Sequence, residues 1–189
     1  MNFIPMQDIR TERLLLRQMR LSDLDCYYQR IGSSEDVTRY MLWQAHKTVE
    51  ESRLSLEKVI ARYRDLRCYT WGIALTREDC LIGRIDLLRF DEATDSCSFA
   101  YMLGRDFWNQ GYATEALRAV FSFAFDTLGV RQITADHMSE NPASGRVMQK
   151  VGMHYVTSHP AKYEKCGIRY DADEYTVTSE DWYRLQTQK

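Results

Sequence analysis

The chain has 189 residues, 44% of them hydrophobic, which is enough for one globular domain over residues 1–189 with a substantial core. Its 25 Lys and Arg nearly balance 27 Asp and Glu, so it lacks the cationic surplus of a nucleic-acid-binding module, and no apolar run reaches the roughly 20 residues of a membrane span. The five cysteines are odd in number and never spaced as CxxC, which predicts reduced thiols in a cytoplasmic protein without a metal site.

The first half of the chain predicts one strand, two helices and a meander. The stretch "ERLLLRQM" has the composition of a short strand, and Ser22 opens a helix pattern. Thr48 is the predicted N-cap of a longer helix that runs to about Arg67. Three strands separated by polar turns follow, at 69–75, 81–90 and 98–103. We expect these strands to pair as antiparallel hairpins.

The second half begins with the most strongly periodic helix, whose apolar residues recur from 113 to 128. The stretch "RQITADH" predicts a strand. Asn141 and Pro142 predict the N-cap and first residue of a short helix that ends before Gly152. The order β-α-α-β-β-β-α-β-α-β-β predicts an α+β fold with a mixed sheet. Its last two strands are expected at about 153–163 and 168–178.

The stretch "FWNQGYATEAL", residues 107–117, places one glycine and several small residues where the periodic helix begins. A helix N-terminus presents backbone N–H groups without partners and carries a partial positive charge. Gly111 would let a ligand approach the backbone closely, so the stretch predicts a site for phosphate oxygens. Glu115 must then point away from the ligand. The alternative is that Gly111 is a turn glycine before an amphipathic helix.

A second stretch, "NPASGRVMQKVGM", follows after one intervening strand. Together with "SFAYMLGRDFWNQGYATEAL" it resembles the acyl-CoA site of the GNAT superfamily of N-acetyltransferases. The two stretches and "TERLLLRQM" near the N-terminus look most like the branch that acetylates the N-termini of ribosomal proteins. The resemblance implies a GNAT fold: a mixed, mostly antiparallel sheet of about seven strands, a V-shaped splay between two parallel strands, and about four flanking helices. It also implies acetyl-CoA as the cosubstrate.

In the family, the pantetheine arm pairs with the edge of a splayed strand, and the pyrophosphate meets the start of the following helix. The resemblance therefore implies pantetheine contacts from the backbone of Met102 and Leu103 and from Asn141, which alternatively serves as a helix N-cap. Trp108 stands where wider family members carry Arg or Gln. The backbone N–H groups implied for the pyrophosphate are those of Gln110, Gly111, Tyr112, Ala113 and Thr114.

Many family members protonate the leaving thiolate from a Tyr seven residues after the helix-opening Asn, but this chain has Met148 there. Ser144 is the implied substitute, and its alternative role is that of a polar residue in the first helical turn. Asp136 lies where a related branch carries a carboxylate base, and strand alternation points it away from the face of His137. Asp86 is a second carboxylate, set among apolar neighbours.

An α-amino group with a pKa near 7.7–8.0 is about one-fifth neutral near pH 7.3, whereas a lysine amine is about one-thousandth neutral. A protein N-terminus therefore needs little help from a base, and we predict direct transfer of the acetyl group to such an α-amine. A small amine (a polyamine, aminoglycoside or amino acid) is the alternative acceptor, and a non-catalytic acyl-CoA-binding module is the alternative function. Cys97 has no basic residue within three positions, so it is not expected to carry the acyl group. Monomer and homodimer both stay open.

Overall fold

The computed structural model describes residues 1–187 of the chain. Its strands are β1 (Ile9–Arg10), β2 (Leu14–Arg17), β3 (Tyr69–Leu75), β4 (Leu81–Asp91), β5 (Ser96–Leu103), β6 (Gln132–Met138), β7 (His154–Lys165) and β8 (Ile168–Thr178). They form one sheet in the order β1-β2-β3-β4-β5-β6-β8-β7. Neighbouring strands are antiparallel, except that β5 and β6 run parallel.

The helices of this part of the chain are α1 (Leu24–Tyr27), α2 (Glu35–Thr38), α3 (Val49–Arg62), α4 (Tyr112–Ser122), α5 (Pro142–Lys150) and α6 (Ser179–Thr187). Wider π-type turns prolong α1 to Gly32 and α4 to Thr127. None of these helices combines the length and the apolarity that crossing a membrane requires. The predicted α+β class with a mixed, mostly antiparallel sheet is confirmed, with eight strands in place of about seven and six helices in place of about four.

The elements that the sequence did not predict are short or weakly periodic. β1 has two residues and α2 has four, which is too few to show a helical or strand period. α6 buries one side chain, that of Trp182, and its remaining positions give no apolar stripe.

Two predicted helix boundaries near the N-terminus are corrected. The helical segment begins at Leu21 with Arg20 as its N-cap, and not at Ser22; the Arg20 backbone N–H donates to the Asp23 carboxylate at 2.7 Å. The longer helix ends at Arg62, five residues before the predicted Arg67. Its predicted N-cap is confirmed, since the Thr48 hydroxyl accepts the backbone N–H three residues on at 3.3 Å.

Two apolar cores lie on opposite faces of the sheet. Trp71 and Phe121 belong to the core under α4, and Leu56 and Ile31 belong to the core under α1 and α3. Because successive strand residues point to opposite faces, Phe99 of β5 packs in the first core, whereas the side chains that alternate with it face the second. The side chain of each β5 residue therefore lies on a known face of the sheet.

The expectation of reduced thiols is wrong for one pair. Cys26 of α1 and Cys80, just before β4, form a disulfide with their Cα atoms 6.6 Å apart. A separation of 54 residues hides this pairing in the sequence, because packing of α1 against the start of β4 brings the two together. Cys68, Cys97 and Cys166 are free thiols. The cysteines therefore no longer support the expectation of a cytoplasmic protein.

Candidate active site

The parallel strands β5 and β6 separate after three paired residues. Residues 96–98 pair with residues 132–134, and the described residues beyond them are not paired between these strands. A cavity of about 970 Å³ opens where the strands diverge, and the first turns of α4 and α5 line it. The V-shaped splay that the sequence implied is present at the predicted strands.

The hydrogen-bond phase of β5 decides which of its backbone groups face the splay. The Gly104 N–H donates to the Ile82 carbonyl at 2.8 Å, which makes these two residues a hydrogen-bonded pair of the β4–β5 ladder. Hydrogen-bonded pairs recur at every second residue, so Met102 also directs its N–H and C=O at β4. The backbone groups of Tyr101 and Leu103 face the splay instead.

The implied pantetheine contact from the backbone of Met102 is therefore corrected. Its groups are used inside the sheet, while those of Tyr101 and the N–H of Leu103 face the cavity. The Leu103 carbonyl accepts the indole N–H of Trp108 at 2.7 Å. Trp108 thus anchors the turn after β5 and uses its one polar group within the protein.

Gly111 forms the N-cap of α4 with a φ of +83° and without a side-chain cap. A positive φ of this size favours glycine, and the missing cap leaves the first backbone N–H groups of the helix without a side-chain acceptor. A Cβ added at Gly111 would meet only the Arg13 guanidinium, at 3.3 Å, so the approach to the turn is otherwise open. The turn therefore fits a pyrophosphate.

The Glu115 carboxylate points away from this turn, as predicted. It accepts hydrogen bonds from the Thr11 hydroxyl at 2.6 Å and from the backbone N–H and Nε of Arg13 at 3.0 and 2.7 Å. Partial burial opposes its ionisation, but these donors outweigh burial and lower the pKa of Glu115. Arg13 also donates to the Gln110 carbonyl at 2.9 Å and holds the turn from outside. Sequence reasoning missed Arg13, which lies almost one hundred residues upstream.

The start of α5 brings Asn141 and Ser144 to the other side of the cavity. The Asn141 side-chain oxygen accepts the Ser144 backbone N–H at 3.4 Å, so Asn141 is the helix N-cap. The Ser144 Oγ accepts a hydrogen bond from the Tyr101 hydroxyl at 3.3 Å, and burial raises the pKa of Tyr101. Met148 is buried in the core and offers no proton. Tyr101 is the second residue that sequence reasoning missed.

Asp136 lies on the opposite face of β6 from His137, as the alternation predicted. Its two carboxylate oxygens accept hydrogen bonds, one from Lys162 and one from the Tyr163 hydroxyl. Burial, reinforced by the neighbouring carboxylate, raises the pKa of Tyr163, which therefore stays a neutral donor. Asp136 thus lines the cavity with both oxygens engaged.

Three other candidates lack the environment of a catalytic group. Asp86 is buried outside this cavity, where it accepts hydrogen bonds from Thr70 at 2.6 Å and from Arg84 at 2.8 Å. His137 is buried and shares a hydrogen bond with the adjacent carbonyl through Nδ1. Burial raises the pKa of the Cys97 thiol to about 12, so it holds no thiolate at neutral pH.

Comparison with known proteins identifies the family of the chain. The family model described as the acetyltransferase (GNAT) domain matches residues 13–154. The chain belongs to the GNAT family of acetyltransferases. It is an acetyltransferase of this family, and acetyl-CoA is its cosubstrate.

Relatives and solved structures agree with this assignment. The uncharacterized N-acetyltransferase YoaA of Bacillus subtilis (strain 168) is 27% identical over 169 residues, which are 89% of this chain and 95% of that protein. A putative ribosomal-protein-serine acetyltransferase from Vibrio cholerae superposes with a TM-score of 0.81 at 21% identity, covering 92% of this chain and 98% of that one. The microcin C7 self-immunity acetyltransferase MccE, in complex with acetyl-CoA and AMP, gives 0.80 at 16% identity, covering 89% and 93%. At such identities the two structures show the fold alone.

Proposed function

We propose that this acetyltransferase transfers the acetyl group directly to the α-amine at the N-terminus of a protein or peptide. The observation that carries the proposal is the engagement of Asp136, whose oxygens already accept hydrogen bonds from Lys162 and Tyr163. Asp136 can therefore act as a base only through an oxygen that already holds a hydrogen bond. An α-amine with a pKa of about 7.7–8.0 needs the least help from such a base, because a sizeable fraction is neutral at physiological pH.

The charges on the acceptor side of the cavity, away from α4 and α5, support a monoamine over a polyamine. Arg39 and Arg89 line this side, and neither has a carboxylate within 4 Å among residues 1–187. A polyamine carries several positive charges and would need free carboxylates there. Three of the four lining carboxylates already have an arginine, lysine or histidine partner: Asp36, Asp136 and Glu174. The fourth, Glu140, lies beside the start of α5 and not on the acceptor side.

Space for the acceptor exists beside β5. Ala100 lies in the middle of this strand and is exposed, on the face opposite Tyr101. An exposed alanine in a central strand leaves an opening that reaches the strand backbone. Asp136 lines the cavity on the same face of the sheet as Ala100, and Ser144, which contacts Tyr101, lines it from the other face.

Different residues of the chain would bind acetyl-CoA and transfer protons. Acetyl-CoA, when bound, supplies the acetyl group as an activated thioester. Backbone N–H groups of α4, from Gly111 to Thr114, would hold the pyrophosphate, with Gln110 completing the turn. Tyr101 and Leu103 would bind the arm through their backbone, and Asn141 through its amide N–H₂. Ser144 would give a proton to the leaving sulfur, while Asp136, directly or through water, accepts one from the amine.

The comparison with the Vibrio cholerae protein, named for ribosomal-protein serine acetylation, makes ribosomal proteins reasonable first acceptors to test. The test is a screen of purified full-length chain with acetyl-CoA. Its acceptors are Ser-, Ala- and Met-starting peptides, the same peptides blocked at the N-terminus but carrying an internal lysine, spermidine and an aminoglycoside. We expect thiol release and acetylated product with free N-termini, and none with the blocked peptides. Turnover confined to spermidine or the aminoglycoside would assign a small-amine function, and no turnover with any amine would favour a non-catalytic binding module.

A further inference from the structure

A second cavity, of about 470 Å³, lies between α3 and β4 on the face of the sheet opposite α4. Met102 lines this cavity and also the large cavity at the splay. Arg84 of β4 is the register partner of Met102 and forms part of the cavity wall. The second cavity therefore adjoins the acceptor side of the active site and belongs to the same face of β5 as Ala100.

Three hydrogen-bond donors in the wall of this cavity have no acceptor in the described part of the chain. Arg84 uses Nε and Nη2 on Asp86, at 3.0 and 2.8 Å, which leaves its Nη1 without an acceptor among residues 1–187. The Lys58 ammonium and the indole N–H of Trp43 line the same cavity, and neither has an acceptor among these residues. Three unpaired donors, two of them cationic, favour a ligand that is an anion.

The remaining polar groups of the wall do not supply the missing acceptor. The Glu51 carboxylate is exposed, and one of its oxygens accepts the Lys47 backbone N–H at 2.8 Å. His46 uses its ring Nδ1 on the Ser52 hydroxyl at 2.7 Å, and the hydroxyls of Tyr27 and Ser55 bond each other at 3.2 Å. None of these groups forms a hydrogen bond with the three donors, which therefore line a space that the described residues leave unfilled.

We propose that the second cavity binds a carboxylate group between Arg84, Lys58 and Trp43. The carboxylate could belong to an acidic side chain near the start of the acceptor, in which case the inference rests on the proposed function, or to a free small molecule. Met102 lies two steps after Ala100 along β5, a distance of about 7 Å. An extended peptide whose amine lies over Ala100 would therefore bring the side chain of its second or third residue to Arg84.

Two arms of one experiment distinguish these sources. In the first, the indole N–H resonance of Trp43, assigned with W43F, is followed by NMR while succinate is added, with neutral succinamide as the matched probe. In the second, kcat/KM is compared for Ser-starting peptides that carry Glu or Gln at the second or third position. Both arms use the full chain, Lys58→Gln, and the control Arg62→Gln, which removes an exposed charge of the same helix outside the cavity.

We expect a saturable shift with succinate but not with succinamide, weakened at least about threefold in Lys58→Gln and unchanged in Arg62→Gln. If the source is the acceptor, Glu peptides exceed Gln peptides about three- to tenfold in kcat/KM, and Lys58→Gln removes the difference. Succinate binding without any peptide turnover would support the carboxylate site and contradict the proposed function. Peptide turnover with equal rates for Glu and Gln, together with no succinate shift, overturns the inference and keeps the function. A shift that Lys58→Gln leaves unchanged also overturns it.

Discussion

The hydrogen bond from the Tyr101 hydroxyl to Ser144 Oγ, 3.3 Å long, offers a sharp test of the proton donor. With an oxygen lone pair of Ser144 occupied by Tyr101, the Ser144 hydrogen finds no acceptor among residues 1–187 and can point into the cavity. Tyr101 would then be a positioning residue that acts through Ser144. Tyr101→Phe removes the hydroxyl and keeps the ring that packs beside Phe99.

The magnitude follows from how this bond changes during the reaction. A neutral buried hydrogen bond contributes about 0.5–1.5 kcal/mol to stability, and a bond equally strong before and at the transition state leaves kcat unchanged. When Ser144 gives up its proton, its oxygen gains negative charge, and the bond from Tyr101 becomes roughly twice as strong. The extra 1 kcal/mol or so corresponds to a drop in kcat of about five- to tenfold in Tyr101→Phe. Ser144→Ala should cost about ten- to a thousandfold.

The decisive assay is a double-mutant cycle read by thiol release at saturating acetyl-CoA and peptide. Tyr101→Phe should lower kcat in the wild-type background and leave it unchanged in the Ser144→Ala background, because the positioning role needs the serine oxygen. Tyr155→Phe is the matched control, since it removes another Tyr–Ser hydrogen bond, on the exposed strand β7. Equal losses from Tyr101→Phe in both backgrounds would refute the role through Ser144. So would wild-type kcat in Ser144→Ala.

Four further changes test other parts of the site. Asp136→Asn should lose rate mainly at low pH and recover much of it near pH 9, where the α-amine is mostly neutral; a loss equal at all pH values would indicate a structural role. Gly111→Val, at a φ of +83°, should lower stability by about 1–2 kcal/mol and remove most of the rise in Tm that acetyl-CoA causes, whereas Gly129→Val, strained at +70° in open space, should keep that rise. Glu115→Gln should destabilise the protein to urea at pH 7 but less at pH 3, because a lowered pKa gives stability that is present above the unfolded value near 4.5 and lost as the pH falls through the folded one. Cys97→Ser should retain kcat, and an acetyl group on Cys97 that chases into product would contradict direct transfer.

Elements with a long period could be predicted from the sequence, and short ones could not. α3 and α4 repeat apolar residues over three or more turns, and β3, β4 and β5 are apolar runs separated by polar turns. The existence of these elements could therefore be predicted from the local pattern. α2 has four residues and depends on packing around it. The disulfide between Cys26 and Cys80 depends on tertiary contact across 54 residues, which no spacing rule reveals.

The same division holds within the active site. Gly111 could be predicted as the turn before a helix, because a helix start carries its signal in adjacent residues. Arg13 could not, because its contacts with Glu115 and Gln110 join residues about one hundred positions apart. The phase of the β4–β5 ladder was equally hidden, and it turns the backbone groups of Met102 toward β4 and those of its neighbours toward the cavity.

Asp136 shows why the acceptor is harder to predict than the cofactor. An offset known from a related branch singled out its carboxylate, and alternation predicted its face of β6, but the hydrogen bonds that its oxygens accept come from Lys162 and Tyr163 of another strand. The proposed cofactor contacts are backbone N–H groups whose direction a helix start determines. The proposed acceptor contacts are instead side chains whose charges are partly cancelled by their partners. The choice of acceptor therefore depends on which charged side chains of the cavity remain unpaired, as Arg39 and Arg89 do. Ion pairs form only in the folded chain, so the sequence does not reveal them.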